Sequence, residues 1–106
     1  MGRAGAQRRP SGQVAQDLAM GKLVEGGVVA QTEQIFHNLA AILSAANKSF
    51  ADVVKVNVYL TDVRDFAAMN EVYAKHFVAP YPARTTVAVA ALPLGAAVEI
   101  EMIASE

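Results

Sequence analysis

Two β-forming runs near the C-terminus, residues 85–91 and 96–103, restrict the fold of this chain more than any other feature. They are separated by Leu92-Pro-Leu-Gly95, in which Pro93 presets a turn and Gly95 tolerates a positive φ. Two strands joined by so short a connection are typical of a β-hairpin. The pattern therefore predicts an antiparallel pair at the end of the chain.

Three charged residues stand in or beside these apolar runs. Arg84 opens the first run, and Glu99 and Glu101 interrupt the second at alternate positions. Alternation puts Arg84 and Thr86 on one face of the sheet. A hairpin centred near residues 93–94 would bring Glu99 to that face, about 13 Å from Arg84. The two side chains would then nearly meet within one chain, or the glutamate would come from a neighbouring subunit.

An arginine near a glutamate has a functional and a structural interpretation. The planar guanidinium holds a carboxylate with two parallel hydrogen bonds, which suits a small anionic substrate. A nearby glutamate can orient or activate a water. The alternative is a structural ion pair at the start of a strand. The chain has no Gly-rich phosphate loop, no nucleophilic serine motif and no histidine spacing that predicts a metal site, and His37 and His76 are interpreted as surface side chains.

Helical periodicity predicts two helices. The first covers residues 28–46, with Gly27 as its N-cap and Asn47 in the left-handed position that follows it. The second begins at Asp62 or Asp65, and its inner stripe consists of Phe66, Met69 or Asn70, Tyr73 and Phe77, where it ends. Within this stripe Asn70 is either a rim asparagine bonded to backbone or a ligand contact. In the last turn His76 is expected to be a surface cation that suits the helix dipole.

The clearest strand is residues 53–60, preceded by a capped turn at Ser49-Phe-Ala-Asp52. Its alternation predicts one row facing the helices, made of Val54, Val56, Val58 and Leu60, and an opposite row of Lys55, Asn57 and Tyr59. The element order predicts an α+β or α/β sandwich with two helices on one face of one sheet. The other face is left open, which favours oligomerisation.

Length and charge exclude several classes of protein. The 106 residues suffice for one domain, predicted as residues 11–106 after a flexible tail at residues 1–10, with a short strand at 11–16 and a loop at 17–27. A net charge of -1 without a basic stripe argues against nucleic acid and acidic membranes as partners. No apolar run reaches the ~18 residues of a membrane span. We expect a soluble, cytoplasmic protein.

Three segments of the C-terminal part resemble the signature of the Rid (YjgF-like) family of reactive-intermediate deaminases. They are Pro82-Ala-Arg-Thr-Thr-Val, Leu92-Pro-Leu-Gly and Val98-Glu-Ile-Glu-Met-Ile-Ala104. The resemblance continues upstream through Asp65-Phe-Ala-Ala-Met-Asn-Glu-Val-Tyr73 and Val53-Val-Lys-Val-Asn-Val-Tyr-Leu60 to Ser11-Gly-Gln13. Nearly the whole chain from Ser11 onward is covered.

The resemblance implies a chorismate-mutase-like α/β fold assembled as a homotrimer, with clefts between the subunits. It implies hydrolysis of reactive 2-enamino and 2-imino acids, such as 2-aminoacrylate, to 2-keto acids and ammonia, without a metal or an organic cofactor. Such compounds arise from pyridoxal-phosphate-dependent dehydratases and damage these enzymes. The implied role is therefore metabolite damage control.

The resemblance also implies a set of site residues. Arg84 matches the arginine that binds the substrate carboxylate, and Glu99 matches the glutamate that positions the water or assists proton transfer. Thr86 stands where many members have cysteine, so that a hydroxyl replaces the thiol. Further contacts with the substrate are implied for three positions, Gly12, Phe66 and Asn70.

One departure from the family concerns the N-terminus. Family members begin with a strand carrying Gly-Pro-Tyr-Ser-Gln-Ala and a second apolar strand that runs into Ser-Gly-Gln. Here Ser11-Gly-Gln13 follows ten polar, arginine-rich residues. We expect the first strand and its tyrosine to be missing and the second to be mostly replaced, which would expose a sheet edge and open one wall of the cleft. An incorrectly assigned start, an altered sequence and a shortened natural variant would each explain this.

Two other functions remain open. One is a trimer that binds small carboxylates without turnover, as a regulator or a chaperone. The other is a ribonuclease or translation inhibitor, an activity described for some family members. The net charge of -1 ranks the ribonuclease last.

Overall fold

The structure is a computed structural model that describes residues 24–105 and the backbone of four short strands that precede them. The short strands are β1 (Gln7–Arg8), β2 (Gln13–Val14), β3 (Gln16–Asp17) and β4 (Lys22–Leu23). The larger elements are α1 (Gly27–Ala45), β5 (Val53–Leu60), α2 (Phe66–Ala74), β6 (Ala83–Ala88) and β7 (Val98–Ser105). None of the described helices has the length and hydropathy of a membrane span.

The main sheet has β5 at its centre. β6 runs parallel to one edge of β5, and β7 runs antiparallel to the other edge. β1 and β2 pair with the outer edge of β7, while β3 and β4 form a separate two-stranded ladder. The predicted hairpin between the last two strands is therefore wrong, because β5 lies between β6 and β7.

The connection from β6 to β7 crosses the end of β5. The Val89 N–H donates to the Leu60 carbonyl at 2.7 Å, and the Thr61 N–H donates to the Ala97 carbonyl at 3.2 Å. A strand in the centre of a sheet has backbone partners on both edges. Both edges of β5 are therefore paired, and β6 is the outer strand on that side of the described sheet.

The turn within this connection agrees with the sequence. Pro93–Gly95 form one turn of 3-10 helix, with proline at the position where a missing N–H is tolerated. Leu94 and Gly95 have φ values of 59° and 68°. The predicted positive φ of Gly95 is confirmed, and Leu94 shares it.

Both helices pack on the same face of the sheet, as predicted. From the helices, the buried core takes Ile35, Phe36, Leu39, Leu43, Met69, Val72 and Tyr73. From the sheet it takes the alternate residues Val56, Val58 and Leu60 of β5 and Val98, Ile100, Met102 and Ala104 of β7. The predicted α+β class is thereby confirmed.

Local signals in the sequence set most of the element boundaries. Helix α1 begins one residue earlier than predicted, after Gly26, whose φ of 111° favours glycine and whose added Cβ would lie 2.9 Å from that of Ala30. Asn47 has the predicted positive φ, 61°. Ser49 caps the turn Phe50–Asp52 in a reciprocal capping box.

The buried row of β5 differs from the prediction at one position. Val54 is 39 % exposed, whereas Val53 is 5 % exposed. The register of β5 against β7 shifts between Val53 and Lys55, and such a bulge reverses the direction of the side chains before it. The helix-facing position predicted for Val54 is therefore wrong.

Helix α2 is shorter than predicted. Asp62 caps a separate 3-10 turn, Val63–Asp65, and the helix then runs from Phe66 only to Ala74. Because the helix ends there, His76 lies beyond its last turn, and its ring stacks on Phe36 with 4.2 Å between centroids and 3° between planes. The predicted position in the last turn of the helix is therefore wrong, and burial in this aromatic cluster, helped by the charge of Lys75, lowers the pKa of His76.

The N-terminal strands cover part of the outer edge of β7. Gln7–Arg8 lie opposite Ser105 and Ala104, and Gln13–Val14 lie opposite Ile100 and Glu99. The expected exposed edge is therefore wrong along these stretches. Two residues of the predicted flexible tail lie in a strand, and the division at residue 10 otherwise stays a prediction.

Candidate functional site

The guanidinium of Arg84 is held against helix α2. Its Nη1 donates to Asn70 Oδ1 at 2.5 Å, and its Cζ lies 4.6 Å from the ring centroid of Tyr73 and 5.6 Å from that of Phe66. The sheet register explains this direction, because Arg84 pairs with Val56, which faces the helices. Three of the predicted site residues, Arg84, Asn70 and Phe66, thus lie together. The amide of Asn70 contacts the arginine rather than backbone.

Arg84 keeps donors for a ligand. Its side chain is exposed, and within residues 24–105 no carboxylate forms an ion pair with it. One of its five N–H groups is used by Asn70, while cation–π contacts with two rings restrict the plane of the guanidinium. The predicted alternative, a structural ion pair, thus has no partner in the described part of the chain.

A cleft of about 370 Å³ opens beside the guanidinium. It is lined by Asn70, Tyr73, Ala74, Phe77, Tyr81, Pro82 and Arg84. Burial raises the pKa of Tyr73, and the neighbouring charge of Arg84 opposes this shift. The phenol therefore stays neutral near pH 7, so that the positive charge of the arginine is not cancelled by a phenolate.

Thr86 follows Arg84 at the next position on the same face of β6. Its Oγ1 is excluded from solvent and has no hydrogen-bond partner in the structure. A buried hydroxyl left in this state costs roughly 1–3 kcal/mol. Thr86 does not line the cleft beside Arg84, so that a ligand reaches this hydroxyl only if the neighbouring side chains move.

Glu99 lies on the opposite face of the sheet. It pairs with Tyr59, whereas Arg84 pairs with Val56, and residues an odd number apart along β5 point to opposite faces. The predicted common face is therefore wrong. It depended on Ala88 lying across from Glu99, but Ala88 pairs with Leu60.

The surroundings of Glu99 form a second depression of about 360 Å³. Tyr59, Val89, Ala91, Leu92, Pro93, Glu99 and Glu101 line it. Glu101 accepts a hydrogen bond from Asn57 Nδ2 at 3.1 Å, and Glu99 is half-buried. Glu99 and Glu101 lie on the open face of the sheet, and Arg84 lies on the face that packs against the helices. Contact between Glu99 and Arg84 therefore requires a second chain.

Gly12 lies outside the described residues. Among residues 24–105, no group of three histidine or acidic side chains is placed to hold a metal ion. The helical pattern predicted Tyr73 and Phe77 as residues of the inner stripe, and it did not predict that they line a cleft beside Arg84. The three-residue spacing of Asn70 and Tyr73, which puts both on one helix face, was the signal available for it.

Comparisons with known proteins agree with this architecture. A family model described as Endoribonuclease L-PSP matches residues 4–106. Protein DfrA of Myxococcus xanthus is 48 % identical over 101 residues, which are 95 % of this chain and 77 % of that protein. A 2-iminobutanoate/2-iminopropanoate deaminase of Capra hircus is 50 % identical over 94 residues, 89 % of this chain and 69 % of that enzyme.

A solved structure gives the same result for the fold. The crystal structure of RidA from the Antarctic bacterium Psychrobacter sp. PAMC 21119 superimposes with a TM-score of 0.90 at 49 % identity, covering 98 % of this chain and 84 % of that one. The resemblance inferred from the C-terminal motifs is confirmed. The chain belongs to the Rid (YjgF-like) family, the family whose model carries the description Endoribonuclease L-PSP.

Proposed function

We propose that this protein hydrolyses reactive 2-imino and 2-enamino acids to 2-keto acids and ammonia. The observation that carries the proposal is an exposed guanidinium, fixed by Asn70 and Tyr73, whose next neighbour on the same face of the strand is Thr86, with its unpartnered buried hydroxyl. Such a pair suits a small carboxylate with a second polar atom beside it. The name of the similar goat enzyme supports the same reaction class.

The proposed reaction requires the protein mainly to hold the substrate and a water in the right positions. In the proposed reaction an enamine first becomes the imine by moving a proton from nitrogen to C3. The oxygen of a water then adds to C2 of the imine, and one proton of that water passes to the nitrogen, which gives a carbinolamine. The hydroxyl proton of the carbinolamine passes to the nitrogen as the C–N bond breaks, which releases ammonia and leaves the carbonyl group of the keto acid. Arg84 holds the carboxylate, and Thr86 offers its hydroxyl to the carboxylate or the nitrogen. Glu99 orients the water and takes its proton. Because an imine is already electrophilic, fixed geometry supplies much of the barrier reduction.

The proposed site is shared between subunits. Within one chain the sheet separates Arg84 from Glu99, so that both act on one substrate only if they come from different chains. The open sheet face that carries Glu99 also carries the half-exposed Val87 and Tyr59, which suit a subunit contact. We propose the homotrimer that the family resemblance implies. No cofactor has a role in the scheme, and the cytoplasmic location stays a prediction.

Carboxylate binding without turnover is the second candidate. The observation that favours it is the separation of Arg84 from Glu99, because in a single chain the glutamate does not lie at the cleft beside the arginine. In that case the protein would act as a metabolite-binding or regulatory oligomer. The ribonuclease suggested by the family description is ranked last, since the net charge of -1 offers no general attraction for RNA.

Coupled turnover separates these candidates. A threonine or serine dehydratase generates the imine continuously, and keto-acid release is followed with and without this protein. We expect faster release with the unaltered protein and no acceleration with Arg84→Ala. Binding of pyruvate without acceleration would favour the second candidate, and cleavage of RNA by a nuclease-free preparation would favour the third.

A further inference from the structure

The cleft beside Arg84 is larger than the smallest imino acids require. At ~30 Å³ for each water, about 370 Å³ corresponds to roughly twelve non-hydrogen atoms. A three-carbon imino acid would fill about half of that space. Apart from Arg84 and Asn70, the cleft is lined by aromatic and small apolar side chains, among them Ala74, Phe77 and Tyr81.

Tyr81 is the lining residue whose position the fold does not explain. Its side chain is 71 % exposed, and the residue lies in the loop between α2 and β6 rather than in the core. Pro80 and Pro82 flank it and restrict the backbone on both sides. A large ring presented from a restricted loop loses little entropy when a ligand binds. Such a ring beside a cleft is typical of a ligand contact.

The other residues of this region leave room for an apolar group. Ala74 presents only a methyl group, and Phe77, which is 6 % exposed, supplies a fixed aromatic wall. Neither adds a charge or a hydrogen-bond donor that a polar side chain of a ligand would need. The cleft thus combines a cation at one place with an apolar surface beside it.

We propose that the part of the cleft lined by Phe77 and Tyr81 is a subsite for the bulky apolar side chain of a 2-oxo or 2-imino acid whose carboxylate is held by Arg84. Phenyl and branched aliphatic side chains are the chemical class that fits, and Tyr81 determines the preference for them. This subsite rests on the carboxylate-binding role proposed for Arg84, but it does not require turnover.

Binding of stable keto acids tests the subsite directly. Calorimetry gives Kd for phenylpyruvate and for pyruvate with the unaltered protein, and we expect phenylpyruvate to bind about tenfold more tightly, as expected for an aromatic contact with added apolar burial. Tyr81→Ala removes the ring, and Ala74→Phe fills the space. Each is expected to reduce the affinity ratio about fivefold or more.

Val78→Ala is the matched control, because Val78 is 79 % exposed in the same loop and does not line this cleft. We expect it to keep the ratio. Equal affinities for the two acids in the unaltered protein, or a ratio that both cleft variants leave intact, would overturn the subsite.

The two proposals fail in different ways. A preference for phenylpyruvate without any imine hydrolysis would support the subsite and count against the deaminase. Hydrolysis of 2-iminopropanoate without a preference for size would overturn the subsite and leave the deaminase standing. Loss of both ligands in Arg84→Ala would support the shared carboxylate anchor.

Discussion

Arg84 and Glu99 stand on opposite faces of the same sheet, with strand β5 between their strands. Arg84 pairs with Val56 and points to α2, and Glu99 pairs with Tyr59 and points to the open face. This separation determines whether one chain or two chains form the proposed site. Arg84 and Glu99 of one chain cannot contact the same substrate. A site that uses both residues therefore requires two subunits, each of which supplies one of them.

The geometry of the arginine gives the first prediction. Arg84→Lys keeps a positive charge but loses the planar pair of donors and the stacking on Tyr73, so that the affinity for pyruvate is expected to fall about tenfold to a hundredfold. Isothermal calorimetry measures the change. Arg64→Lys is the matched control, because Arg64 lies exposed in a pair with Asp62. Equal losses in both variants would contradict a specific anchor at Arg84.

The unpartnered hydroxyl gives the second prediction. Thr86→Val keeps the shape of the side chain and removes a buried oxygen without a partner, so that the free energy of unfolding is expected to stay the same or rise by about 1 kcal/mol. Turnover is expected to fall about tenfold, since the hydroxyl no longer bonds to the substrate. Denaturant unfolding and the coupled assay measure the two effects.

Thr85→Val is the control for this change. Thr85 lies on the opposite face of the same strand, where its hydroxyl accepts a hydrogen bond from Lys55. We expect normal turnover in this variant. A Thr86→Val protein that is clearly destabilised but fully active would assign the hydroxyl to the fold instead of the site.

Stability at acid pH gives the third prediction. Burial, followed by the charge of Lys75, lowers the pKa of His76 below its usual 6.5, while Glu33 acts in the opposite direction. The unfolded chain therefore takes up the proton first as the pH falls. The stabilisation is full above about pH 6.5 and is lost as the pH falls from there towards the folded-state pKa.

The variant His76→Phe tests this assignment. It keeps an aromatic ring against Phe36 and removes the titration, so that the free energy of unfolding is expected to fall less between about pH 7.5 and about pH 5 than in the unaltered protein. His37→Gln changes an exposed histidine and is expected to keep the original slope. The same slope in all three proteins would refute a role for His76.

Much of the fold was predictable because its signals are local. The positive φ of Asn47, the capping box at Ser49 and the alternation of β5 each depend on a few neighbouring residues. The bulge that turns Val54 outward depends on the register with β7, which no run of sequence specifies. The aromatic stack of His76 likewise depends on where α2 ends and on Phe36, far away along the chain.

The candidate site was predictable in its residues but not in its arrangement. Strand parity correctly put Arg84 and Thr86 on one face, whereas only the family resemblance assigned Asn70 to the site, and its bond to Arg84 was not predicted. The predicted face of Glu99 was wrong, because the short connection between β6 and β7 was interpreted as a hairpin. In the structure this connection crosses the end of β5, which lies between the two strands. Which strand inserts between two others is a property of the whole sheet.

Mixing two inactive variants tests the shared site most directly. Arg84→Ala keeps Glu99, and Glu99→Gln keeps Arg84, so that neither protein alone has a complete site. In a closed ring with one such contact for each pair of neighbours, random assembly of equal amounts restores about one quarter of the sites. We predict that each variant alone is inactive and that the mixture, refolded together, recovers about a quarter of the unaltered activity. A mixture that stays as inactive as its components would contradict a site built from two chains.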